Sequence, residues 1–123
     1  MSGCCGDDWL VEHKVDLDEL ASRLERLRGE WEKVAQVGPL TWRDERAAWP
    51  QPIVSDRLSV QIPESLGVAL RRDDDEAQFC VWTGGWADIE LVMDGEYVPL
   101  HAEFETVDGA YAAVVRNVED FLS

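Results

Sequence analysis

Leu17, Leu20, Leu24, Leu27, Trp31 and Val34 recur at alternating spacings of three and four residues. That spacing puts all six on one stripe and predicts a helix over residues 16–36. Asp16 is placed to cap its start, with Glu19 three residues on as in a capping box, and Gly38-Pro39 ends the run because proline cannot continue it. Fewer than three heptads are present, so the stripe reads as a face for packing on a sheet and not as a coiled-coil seam.

Residues 40–52, with Trp42 and Trp49 around Arg43, Asp44, Glu45 and Arg46, carry no clean period and read as a loop or a short irregular turn of helix. The two tryptophans read as lids over the edge of the core, the alternative being exposed anchors for a partner. From Arg57 the period drops to two. Leu58, Val60 and Ile62 alternate before Pro63, then Leu66, Val68 and Leu70 before the Arg71-Arg72-Asp73-Asp74-Asp75 break, predicting two strands of a meander. A third strand over 78–83 leads through Gly84-Gly85 into a fourth over 86–93. Asp94-Gly95 turns that into a fifth over 96–105, a two-residue hairpin signal because both turn positions need positive φ.

A two-residue loop at Asp94-Gly95 pairs Met93 with Glu96 and fixes every pair behind it. Leu91 then faces Val98, Ile89 faces Leu100 and Ala87 faces Ala102 on a core side. On the other side Val92 faces Tyr97, Glu90 faces Pro99, Asp88 faces His101 and Trp86 faces Glu103. The same construction at Gly84-Gly85 turns Cys80 and Trp82 inward, but a longer loop reverses them, so the side of Trp82 stays open. Tyr111, Val114, Val115, Val118, Phe121 and Leu122 return to helical spacing and predict a helix over 107–122, with Thr106 or Asp108 as its cap. The expected fold is α+β, a two-layer sandwich. It has an N-terminal helix, an antiparallel meander sheet of about five strands over 57–105, and a C-terminal helix on the same sheet face. One domain spans 1–123, with residues 1–14 as a flexible start.

Charge changes the picture from fold to partner. The formal net charge is −15, and it is regional: up to Arg72 there are 13 acidic and 10 basic residues, and from Asp73 on there are 13 acidic residues against Arg116 alone. Such a field repels nucleic acid and anionic membranes and speeds encounter with a cationic partner. No stretch approaches the roughly 18 apolar residues of a membrane span, and the start has neither a basic nor an apolar signal region, so a cytoplasmic protein is expected. Cys4, Cys5 and Cys80 make a poor disulfide framework. Cys4 and Cys5 with His13 lack the spacing that brings two thiolates to one zinc, so no metal and no cofactor are expected.

No nucleophile elbow, phosphate loop or zinc-protease helix is present. The best catalytic arrangement sets His101 against Asp88 across the hairpin, flanked by Glu90 and Glu103. It lacks a nucleophile and reads as a surface contact, so no enzyme is expected. The Asp73-Asp74-Asp75-Glu76 run lacks the alternating ligands of a calcium loop and reads as a solvated turn that adds to steering.

The stretch Val81-Trp82-Thr83-Gly84-Gly85-Trp86-Ala87-Asp88-Ile89-Glu90, the strand ending His101-Ala102-Glu103-Phe104-Glu105 and the closing helix resemble the TriTu family of bacterial immunity proteins. The likeness covers roughly residues 57–122. It implies a cytoplasmic protein, encoded beside a contact-dependent or polymorphic toxin, that neutralises the toxin by tight binding; such toxins are often nucleases. The acidic N-terminal extension and the double glycine depart from the pattern, so the toxin type does not carry over.

The residues point the same way, because a nuclease carries a basic surface that a carboxylate-rich sheet face can cover. The expected partner-binding set is Trp86, Asp88, Glu90, Tyr97, His101, Glu103 and Glu105, with Asp73, Asp74 and Asp75 adding charge. A basic toxin protein is the expected partner, and the chain itself is expected to be a monomer or weak dimer. The alternative is an acidic secretion chaperone that holds a client in an apolar groove and dimerises through the helix from Leu17 to Val34.

Overall fold

A computed structural model describes residues 12–123. Cys4, Cys5 and most of the expected flexible start lie outside them. Within them the chain forms α1 (Leu17–Trp31), β1 (Gln36–Val37), β2 (Thr41–Asp44), a 3-10 turn (Arg57–Ser59), β3 (Pro63–Arg72), β4 (Asp75–Trp82), β5 (Trp86–Met93), β6 (Glu96–Glu103) and α2 (Val107–Leu122). This is the expected α+β order, with six strands in place of about five.

The Asp16 carboxylate accepts from Glu19 N at 3.1 Å, and Thr106 Oγ1 accepts from Gly109 N at 3.1 Å, so each helix starts on a side-chain cap. Leu17, Leu20, Leu24 and Trp31 of α1 and Ala110, Val114, Val118 and Phe121 of α2 face one core. Both helices begin at the Thr83–Gly85 end of the sheet and finish at the Arg72 end. Val15 N donates to Thr83 O at 3.1 Å, Arg23 pairs with Asp108 at 2.8 Å, and Arg72 donates to Leu122 O. The predicted helix ran to residue 36, but α1 stops at Trp31, the last stripe residue the core can hold. Ala35 N closes back on Trp31 O at 3.0 Å, and Val34 is left exposed.

The sheet is antiparallel in the order β1–β3–β4–β5–β6, with β2 also on β3. β1 pairs with Leu70 and Arg71, and β2 pairs with residues from Pro63 to Gly67, so the two form one edge interrupted at Gly38-Pro39. Residues 40–52 are therefore partly strand, against the loop expected. The alternation is real but only four residues long: Trp42 points into the core at 4% exposure, while Thr41 and Arg43 point away. Trp49, its expected companion lid, is 70% exposed.

The strand expected over 57–62 is absent. Asp56 accepts from Leu58 N at 3.1 Å and winds a 3-10 turn that leaves Leu58 93% exposed. Asp44 then takes the backbone of the next residues, Gln61 N at 2.9 Å and Ile62 N at 3.3 Å. Side-chain carboxylates, one local and one from β2, satisfy these N–H groups, and no ladder forms.

The Asp94-Gly95 hairpin has the predicted register throughout, from Met93↔Glu96 to Trp86↔Glu103, and both turn residues have positive φ, 53° and 79°. The burial of its last strand differs from expectation. Helix contacts are heaviest on β1, β3 and β4, so Val98 and Leu100, on the core side of the free edge β6, stay 38% and 40% exposed. Pro99 sits in that edge and offers no N–H to a passing strand.

Candidate functional site

With both helices on one side, the other face of the sheet is open, and side-chain alternation decides what it carries. Thr41 and Arg43 come from β2, Ser65, Gly67 and Ala69 from β3, Gln78, Cys80 and Trp82 from β4, Trp86, Asp88 and Glu90 from β5, and Tyr97, His101 and Glu103 from β6. Trp82 pairs with Trp86, so the loop between them holds three residues, Thr83, Gly84 and Gly85. The extra residue reverses the inward placement of Cys80 and Trp82 and brings both onto the open face. Gly85, at φ 111°, closes the loop with its N–H on Trp82 O at 3.0 Å.

One polar chain crosses this face. The Trp82 indole Nε1 donates to Asp88 Oδ2 at 3.3 Å, His101 Nδ1 lies 3.5 Å from Asp88 Oδ1, and His101 Nε2 lies 3.1 Å from Glu103 Oε2. The Glu103 carboxylate, with Asp88 behind it, raises the His101 pKa above its ordinary 6.5. Trp86 stacks on Trp82, which keeps one indole face against its neighbour and one edge in solvent.

Toward β2 the face hollows into a trench of about 440 Å³, lined among others by Thr41, Arg43, Gly67, Cys80, Asp88 and Glu90. The Arg43 guanidinium lies 5.0 Å from the Trp82 ring centre and donates through Nη1 to Ser65 Oγ at 3.1 Å and Cys80 Sγ at 3.2 Å. Burial pushes the Cys80 thiol up, and Arg43 opposes the shift. A smaller hollow of about 300 Å³ lies past Trp86, between Lys14, His101, Glu103 and Glu105.

The structure gathers Trp86, Asp88, Glu90, Tyr97, His101 and Glu103 on this one face. Glu105 stands just beyond β6, where Lys14 Nζ donates to it at 3.1 Å. Asp73, Asp74 and Asp75 are not part of the gathering. They form the opposite turn, about 23 Å from Trp82 by the rise of β4, where Asp75 accepts from Asp94 N at 3.1 Å. Sequence reasoning missed Arg43, Ser65, Gly67 and Trp82. The signal was present in β3, where small Ser65, Gly67 and Ala69 alternate with large Leu66, Val68 and Leu70.

Among the described residues no group of acidic, histidine or cysteine side chains is arranged to hold a metal ion, and no helix is long and apolar enough to cross a membrane. No protein-family model, curated protein or solved structure matches the chain.

Proposed function

We propose that this protein is an immunity protein that binds a basic toxin through the open face of its sheet and blocks it. One observation carries the reading. The fold spends both helices on one side and leaves the other bare, with Asp88, Glu90 and Glu103 set beside the aromatic rings of Trp82, Trp86 and Tyr97. Carboxylates steer a cationic surface in, and rigid aromatic groups supply contact area at low entropic cost. The resemblance to the TriTu family points to the same role, with a nuclease as the kind of toxin such a face suits. The chaperone reading loses its route to a dimer, because Leu17, Leu20, Leu24 and Trp31 are buried in the chain's own core.

The test is capture of the partner from the source cell, followed by expression of that partner alone. A basic protein that is toxic by itself and harmless beside this chain is the expected result. The variant Asp88→Lys/Glu90→Lys should slow association about tenfold at low salt and flatten its salt dependence. Unchanged association would remove this face from the proposal.

A further inference from the structure

The open face is not flat, and its relief is dictated by β3. Ser65, Gly67 and Ala69 put almost no side chain above the sheet, and Thr41 and Ile53 rise on one side of them with Gln78, Cys80 and Trp82 on the other. A side chain at Gly67 would overlap Thr41 Oγ1, so the floor there is as low as a polypeptide can make it.

The trench also has polar groups on both flanks. Beyond Cys80 and Gln78, on the β5 side, Asp88 and Glu90 reach its rim. Asp88 also accepts from Trp82 Nε1 and lies 3.5 Å from His101 Nδ1, and no Lys or Arg among the described residues pairs with either carboxylate. On the β2 side, beside Ser65, lies Arg43, whose Nη1 alone has acceptors among the described residues. Nε and Nη2 remain as donors. Arg43 thus keeps two donors beyond its contacts with Ser65, Cys80 and the Trp82 ring.

We propose that this trench seats one lysine or arginine side chain of the basic partner. Its charged head lies between Asp88 and Glu90, its alkyl stem crosses Cys80 and Gln78 to the floor at Gly67 and Ala69, and the backbone leaving it offers carbonyl oxygens to Arg43. The inference rests on the proposed function and deepens it by naming the group recognised. A second copy of this chain is the weaker occupant, since each copy brings the same negative charge.

Amide and indole NMR shifts of the full chain, titrated with acetyl-Gly-Arg-Gly-amide, test it. Norleucine and glutamate peptides of the same frame serve as controls. The arginine peptide should move Gly67, Ala69 and the Trp82 indole N–H, and neither control should. Ala69→Leu fills the trench at an exposed position, and Glu90→Gln removes one charge without changing shape. Each should weaken the arginine response about fivefold. Equal shifts from a control peptide, shifts mapping elsewhere, or full binding by Ala69→Leu would overturn the inference. So would concentration-dependent shifts of the same residues without peptide, which would make a second copy the occupant. If Asp88→Lys/Glu90→Lys loses the captured partner while Ala69→Leu keeps it, the trench fails and the proposed function stands. If both variants keep it, the open face fails as the binding surface as well.

Discussion

Trp82 and Trp86 stack across the mouth of a three-residue loop, their ring centroids 6.0 Å apart and their planes 18° from parallel. The stack exists because Gly85 lets the chain turn back one residue later than a two-residue hairpin would. That glycine has no substitute: at φ 111° an added Cβ would lie 2.6 Å from Phe104 O and 3.0 Å from Lys14 Cδ.

Gly85→Ala should therefore cost about 3 kcal/mol, combining backbone strain with overpacking. Gly95→Ala is the control, because Gly95 also has positive φ, 79°, but open space around it, and should cost about 1 kcal/mol. Urea unfolding of the two variants measures the difference, and equal losses would mean that the contact with Phe104 carries no weight.

Asp44 ties the segment that was expected to be a strand. Its carboxylate accepts from Arg46 N at 2.9 Å as well as from Gln61 N and Ile62 N, and the bond from Gln61 is the chief reason its pKa is lowered from 3.8. Asp18 is lowered in the same direction by Arg57, which holds it through Nε at 2.7 Å and Nη2 at 2.9 Å. A depressed folded pKa contributes stability above the unfolded value that disappears as pH falls through the folded one. Asp44→Asn should cost about 2 kcal/mol at neutral pH and much less in acid, so its urea midpoint should converge on that of the parent as pH falls from the unfolded pKa through the lower folded one. A constant gap at all pH values would show that the carboxylate's charge is irrelevant.

His101 has the opposite sign. Its folded pKa is raised, first by Glu103 and then by Asp88, so the stabilising charge is fully present below about 6.5 and is lost as pH rises through the folded value. An NMR titration of the imidazole should show Glu103→Gln lowering the pKa more than Asp88→Asn does, following the shorter contact, 3.1 Å against 3.5 Å. The reverse order would place the histidine nearer Asp88 in solution.

How much of this was legible before the fold was known depended on how local the cause was. The β5–β6 register followed from one dipeptide, Asp94-Gly95, because a two-residue turn leaves no freedom behind it. The caps at Asp16 and Thr106 were equally local. Thr41 to Asp44 hid as a strand because its pairing partner lies some twenty residues later and its outward positions look like loop. Leu58 mimicked a strand residue by spacing alone, and the Asp56 carboxylate decided otherwise. Half of the open face was readable from the hairpin. The trench half was not, because Trp82 and Cys80 changed sides with one loop residue.

Gly67 and Thr41, paired across β2 and β3, offer the sharpest check on that trench. A methyl at residue 67 collides with Thr41 Oγ1 and has the Phe79 carbonyl 3.5 Å away, a normal contact. The collision is thus with one atom, and removing that atom should relieve it. Gly67→Ala should cost about 1–3 kcal/mol as overpacking, Thr41→Ala should cost less, and the double variant should be more stable than the two losses added together predict. A coupling of about 1 kcal/mol or more in the double-mutant cycle is expected. Additive losses would mean that the strands part to accommodate the methyl, and the trench floor would then be softer than its geometry implies. The same pair separates stability from recognition. Once Thr41→Ala has restored the fold, Gly67→Ala still raises the floor by one methyl, so the double variant should fold well and bind the arginine peptide less tightly.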